Sequence, residues 1–232
     1  MSSFIIKCIA CITMLLDHIK YSGPLFKNIL TEYLGRISFP LFAFLIAEGY
    51  THTSDLKRYY KRILIFGIIS QIPFMLFRTL VGEWKMLNIM FTLILGLATI
   101  TVYDKIKQKY ICIPIIIALI ILGELIKVDY GWLGVISVFV MYLLRNKKMF
   151  LPLVYGIIIF IYYYSVFGNE FIFERKTVFL MLFTWSSTFI INNYNGEKGK
   201  SMKYFFYWFY PIHMLAVYLL YFVIWDFIWK IQ

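Results

Sequence analysis

Lys7 and His18 stand eleven residues apart near the start of the chain, and their types complement one another. The cation can hold an anionic group, and the imidazole can move a proton. On an α-helix they lie about 16 Å apart along the axis. At about 100° per residue they share nearly one face, which also presents Cys11 and Met14. A stripe of this kind suits a path running along the helix. Asp17 lies about 100° round from His18 and is poorly placed to orient that ring. Arg36 is the better partner for Asp17, and Asp129 the better partner for His18.

The elements that must position these groups are membrane helices. The chain of 232 residues is 62% hydrophobic, 21% aromatic and only 15% charged, with a mean hydropathy of +0.77. A soluble domain needs far more polar surface. Runs of about 20 apolar residues mark nine spans, at 4–21, 34–52, 61–80, 87–103, 110–126, 130–145, 150–168, 176–192 and 204–229. The fourth to sixth are short or closely spaced, so eight or ten stay open. The expected fold is an all-α polytopic bundle, one domain over 1–232. The first span lacks an A-x-A-like cleavage site and is expected to stay with the chain.

The net charge of +11 does not point to nucleic acid, because the basic residues sit in short clusters between apolar runs. Clusters such as Lys57, Arg58, Lys61 and Arg62, or Lys198, Lys200 and Lys203, fall in alternate loops, and the intervening loops are poorer in cations. The excess places the N-terminus in the cytoplasm and the C-terminus outside.

Orientation assigns depth. Asp17, His18, Arg36, Asn88, Asp129 and Tyr130 fall in one outer layer, drawn from four helices. Lys7, Glu48, His52, Arg58 and Arg62 make a second layer at the cytoplasmic face, where cations could hold the phosphates of a nucleotide-bearing donor. Plainer roles stay open: Arg36 can snorkel, Asp129 can cap its helix, and His52 with the cluster 57–62 can act as a topology signal. His213 sits mid-depth in the last helix beside Pro211, as a core or a functional histidine. There is no H-E-x-x-H, P-loop or G-x-S-x-G, and no metal is expected. Ser186 and Ser187 have no nearby base, and an apolar setting disfavours the Cys11 thiolate. A histidine base with direct transfer is the simpler chemistry.

Five blocks resemble the TraX-type membrane proteins, named for the factor that acetylates the N-terminus of F-pilin: KCIACITMLLDHI (7–19), the long stretch 34–74, LNIMFTLILGL (87–97), DYGWLGV (129–135) and YFFYWFYPIHML (204–215). The Lys7-x10-His18 spacing is also similar to the Arg/Lys-x10-His motif of the wider group of transmembrane acyltransferases. The resemblance implies an enzyme of the bacterial cytoplasmic membrane that uses acetyl-CoA, or another acyl-CoA, as cytoplasmic co-substrate. The acceptor, a peptide N-terminus or an envelope glycan, would approach from the outer side. His18 would be the base. Lys7, Arg58 and Arg62 would hold CoA phosphates, with Glu48, His52 and His213 as further donor-binding candidates. Arg36 or Asn88 would donate to the oxyanion, and Asp129 would steady the imidazolium. The rival reading is a proton-coupled transporter using Asp17, His18, Arg36 and Asp129 as a relay. No inverted repeat supports it.

Overall fold

The computed structural model describes residues 1–168 and 174–229, and every regular element among them is helical. In chain order these are α1 (Ser3–Ile19), α2 (Ile29–Gly35), α3 (Ser38–Thr51), α4 (Leu56–Thr79), α5 (Ile89–Lys105), α6 (Lys109–Leu125), α7 (Gly131–Leu143), α8 (Leu151–Phe167), α9 (Arg175–Asn192) and α10 (Lys203–Trp229). Helices α2 and α3 form one unit, broken at Arg36 and Ile37.

Helix starts follow local capping chemistry. The side chains of Asn28, Asp55 and Asn88 each accept a backbone N–H in the first turn of α2, α4 and α5. Helix α1 has no side-chain cap. Its first N–H groups, at Ser3 and Phe4, instead donate to the carbonyls of Glu197 and Lys198, at 2.8 and 3.2 Å. A helix start with unmet donors thereby recruits the loop between α9 and α10.

Four segments are long and apolar enough to cross a membrane: Ile29–Thr51, Leu56–Thr79, Lys148–Phe167 and Tyr204–Trp225. Nine spans are expected, with eight or ten left open, and among the described residues nine helical units occupy those positions once α2 and α3 are joined. However, α1, α5 and α6 have 17 residues each and α7 has 13. At about 1.5 Å per residue, α7 reaches roughly 20 Å, short of a hydrocarbon layer of about 30 Å.

The core forms where small residues let helices approach. Helix α3 packs against α1, α5, α7 and α9, and its Leu41, Ala43 and Ala47 are almost wholly buried. Gly96 on α5 and Gly134 on α7 bring those two helices together, facing Val138 and Thr92 respectively. Outward faces are apolar. On α6, Tyr110, Ile113, Ile117, Ile121 and Leu125 are all exposed at helical spacing. Such a stripe suits lipid and not water.

Two ends result. Lys7, Arg58, Arg62 and Lys198 gather at one, called here the basic end. His18, Arg36 and Asp17 lie at the other, the histidine end.

A Cβ added at Gly96 would stand 2.5 Å from that of Val138. Gly96→Val should lower stability by about 1–3 kcal/mol, the usual size of an overpacking penalty. Adding Val138→Ala should recover part of the loss, read as non-additivity in detergent unfolding of the single and double variants.

Candidate functional site

At the histidine end, one carboxylate holds two cations. Asp17 Oδ1 accepts from Lys20 Nζ at 2.8 Å and from Arg36 Nη2 at 2.9 Å. Both the Lys20 and Asp17 side chains are largely buried. Gly35 makes this possible: a Cβ there would collide with the Cβ of Asp17, so only glycine lets α1 come this close to the α2–α3 break. The spacing argument pairs Asp17 with Arg36; Lys20, one turn beyond Asp17, is the partner it missed. Arg36 Nε is buried and has no partner among the described residues.

His18, the next residue, turns elsewhere. Its Nδ1 lies 2.8 Å from Nε2 of His213 on α10, and the two rings are nearly parallel, at 6°. Phe77 of α4 packs against the His18 ring, with centroids 4.7 Å apart. The sequence set Asp129 as the partner of His18 and His213 among the donor-binding groups. The structure corrects both: the hydrogen bond of His18 is to His213, and His213 lies away from the basic cavity. The reason is the length of α10. It runs alongside α1 from Phe206, near Lys7, and continues to Ile224, beside Gly23, so its middle reaches the level of the last turn of α1.

Asn88 is buried and engaged throughout. Its amide donates to the Gly67 carbonyl at 2.7 Å and to Gln71 Oε1 at 2.8 Å, and its Oδ1 accepts the Met90 N–H at 3.0 Å. With both amide hydrogens in use, Asn88 works as a cap and a tie between α4 and α5 and has no donor left for an oxyanion. Asp129 lies in the turn before α7, which pairs with the turn before α5 through Asp129 N–H to Leu87 O and Leu87 N–H to Lys127 O. It does not cap α7, whose N-cap is Tyr130. Tyr130 takes a left-handed conformation, φ 64°, rare for a bulky residue, and stacks on Phe39 with centroids 4.1 Å apart. Withdrawal from water pushes the Asp129 carboxyl above its ordinary range, against the opposing pull of Arg78 and Arg36.

The basic end opens into a cavity of about 480 Å³. Lys7, Arg58, Arg62, Lys198 and Lys200 line its mouth, and Phe42, Leu45, Met90 and Leu93 line its interior. From Gly49 back to Phe42 it follows α3 for seven residues, about 10 Å. Arg62 Nε is buried without a partner. Of the expected donor-binding residues, Lys7, His52, Arg58 and Arg62 line this cavity, while Glu48 faces a neighbouring one and accepts from Tyr194 at 2.7 Å. His52 also reaches Glu48, at 3.3 Å, and Arg58 leans on Asp55. Lys198 and Lys200 were read only as topology signals. The turn that supplies them is held mainly by backbone groups of residues 1–4, with the Ser3 hydroxyl donating to the Lys198 carbonyl at 2.9 Å.

A family profile described as TraX protein matches residues 2–221, a region that includes Lys7, His18, Arg36, Arg62 and His213. The chain belongs to the TraX family. A relative described as a probable fimbrial assembly protein, FimC of serogroup H1, from Dichelobacter nodosus, is 26% identical over 240 residues. The match spans 92% of this TraX chain and 93% of the relative. No solved structure matches. With its apolar helices and outward-facing hydrophobic stripes, this TraX protein is a helical membrane protein.

Asp17→Asn should cost about 3–5 kcal/mol in detergent unfolding, because it leaves two buried cations without their counter-charge. The Asp129 carboxyl, by contrast, ionises near its ordinary value of about 4 when unfolded and higher when folded. The folded state therefore holds that proton longer, and stability should fall as pH rises through the interval above 4. Asp129→Asn should remove that part of the fall, measured by chemical unfolding at several pH values.

Proposed function

We propose that this TraX protein is an integral membrane acyltransferase. It moves an acyl group, acetyl in the simplest case, from cytoplasmic acyl-CoA to an amine or hydroxyl presented on the other side of the membrane. The observation that carries the reading is the basic-end cavity, with cations at its mouth and apolar walls within, running along α3 in the direction of the histidine end. Phosphates suit the cations, with Arg62 Nε as an open donor. An extended, weakly polar thioester arm suits the apolar interior.

In this reading the basic end faces the cytoplasm, the helical bundle lies in the bacterial cytoplasmic membrane, and the acceptor arrives at the histidine end. His18 takes the proton as the acceptor nitrogen or oxygen attacks the thioester carbonyl. Arg36 Nε, buried and unpartnered, donates to the oxygen that becomes negative. Collapse of the tetrahedral intermediate breaks the carbon–sulfur bond, and the thiolate recovers the proton from His18. Acyl product and CoA thiol result, with no metal in the step. The fimbrial name carried by one relative makes the N-terminus of a surface-fibre subunit the first acceptor to try, with envelope glycans second.

The test has two arms. Acetyl-CoA should raise the unfolding temperature of the detergent-purified protein. Arg62→Gln should weaken that binding about 10–100-fold, the loss expected for one charge-assisted contact. His18→Ala should keep the binding but lower acetylation of envelope peptides and glycans, read by mass spectrometry, by at least about 10²-fold. Wild-type transfer by a folded His18→Ala protein would overturn the mechanism. No response to any acyl-CoA would favour transport instead.

A further inference from the structure

The histidine pair fixes more than a position. His213 Nδ1 lies 2.8 Å from the carbonyl oxygen of Phe209, one turn earlier on α10. A carbonyl only accepts, so His213 Nδ1 carries a hydrogen and donates it. In the neutral ring Nε2 is then bare. That bare nitrogen is the atom 2.8 Å from His18 Nδ1, so His18 Nδ1 must be the donor of the shared bond. The hydrogen of neutral His18 therefore sits on Nδ1, and its lone pair on Nε2.

We propose that His213 is the positioning residue of this site. It holds His18 in the Nδ1–H tautomer and leaves Nε2 as the atom that accepts the proton of an incoming amine or hydroxyl. The role rests on the acyltransfer reading for its purpose, but not for its structural content. Free imidazole groups favour the other tautomer, so the assignment needs a fixed acceptor at Nδ1. A carboxylate commonly fills that place in soluble hydrolases. Here the nearest candidate, Asp17, already has Oδ1 engaged by Lys20 and Arg36. A neutral acceptor does the same orienting work without adding a charge to an apolar interior.

The geometry also defines where the proton stays. When His18 Nε2 gains a proton from the acceptor, Nδ1–H still donates to His213 Nε2, and His213 Nδ1–H still donates to the Phe209 carbonyl. No proton moves along the pair. The one gained at Nε2 is the one returned to the departing CoA thiolate, so the exchange balances within a single ring nitrogen. Two features hold the arrangement. His213 is 5% exposed, and its ring stacks on Phe209 with centroids 4.8 Å apart. Phe77 packs against the His18 ring.

The chain has three histidines, His18, His52 and His213, so ring-labelled protein gives a spectrum that single substitutions can assign. In full-length protein carrying ¹⁵N-histidine in detergent micelles, His18 should show the Nδ1–H pattern of nitrogen–proton couplings. In His213→Phe it should switch to the Nε2–H pattern. In His213→Gln, whose carbonyl oxygen can occupy the place of Nε2 and accept, it should return at least in part. Transfer should fall about 10–100-fold in His213→Phe, the usual effect of removing a partner that orients a functional histidine. It should recover partly in His213→Gln, with acetyl-CoA affinity unchanged in both. An Nε2–H tautomer for His18 in the wild type sinks the proposal, as does an unchanged Nδ1–H pattern in a folded His213→Phe protein. If that variant does not fold, the wild-type spectrum decides alone. Should the wild type show the expected tautomer but transfer nothing, the acyltransfer reading fails while the tautomer assignment stands.

Discussion

A charge placed among apolar helices must find its counter-charge nearby, and Asp17 is where this molecule meets that demand. One carboxylate oxygen accepts from both Lys20 and Arg36, which ties the end of α1 to the break between α2 and α3. The approach is possible only because residue 35 has no side chain. Much of the histidine end follows. With Asp17 turned to the cations, the neighbouring His18 points a helical step away, where α10 supplies a neutral partner. Removing a charge from such a cluster costs more than the pair contributes, because the remaining partners stay buried. That asymmetry makes the cluster a rigid reference for the ring beside it.

Two guanidinium groups break the rule of satisfied burial, and they do so at opposite ends. Arg36 and Arg62 each keep a buried Nε–H without an acceptor. Ser70 Oγ, Asn192 Oδ1 and Tyr210 Oη are also buried without a partner among the described residues, whereas the Asn88 side chain makes three hydrogen bonds. In the acyltransfer reading, these two open Nε–H donors are places where a ligand would supply the acceptor. One faces the expected phosphates and the other the expected oxyanion. The cavity beginning at the first follows α3 toward the second.

The partners of Asp129 and Asn88 are not written in their depth. Asp129 and Asn88 share a layer with His18, but layer membership does not say which side chains touch. Asn88 is absorbed by capping α5 and by Gly67 and Gln71 on α4. Asp129 sits in a turn locked against the turn before α5, beside a tyrosine held in a left-handed conformation.

The sequence by itself determined the helical, membrane character, the order of the helices, and the sorting of polar groups to two ends. Each of these depends on local information: apolar run length, cap residues, and charges that avoid the interior of a run. Helical angle also separated Asp17 from the His18 ring and left Arg36 as its expected partner, while Lys20, which shares that carboxylate, stayed unseen. Only the tertiary structure decided that His18 meets His213 across 195 residues of chain. Only the tertiary structure brought Lys198 to the mouth of the cavity beside Lys7. The physical reason is the same in both cases. Depth along a helix is set by counting residues, but rotation and lateral neighbours are set by packing, and packing here turns on glycine contacts and backbone carbonyls that leave no local mark.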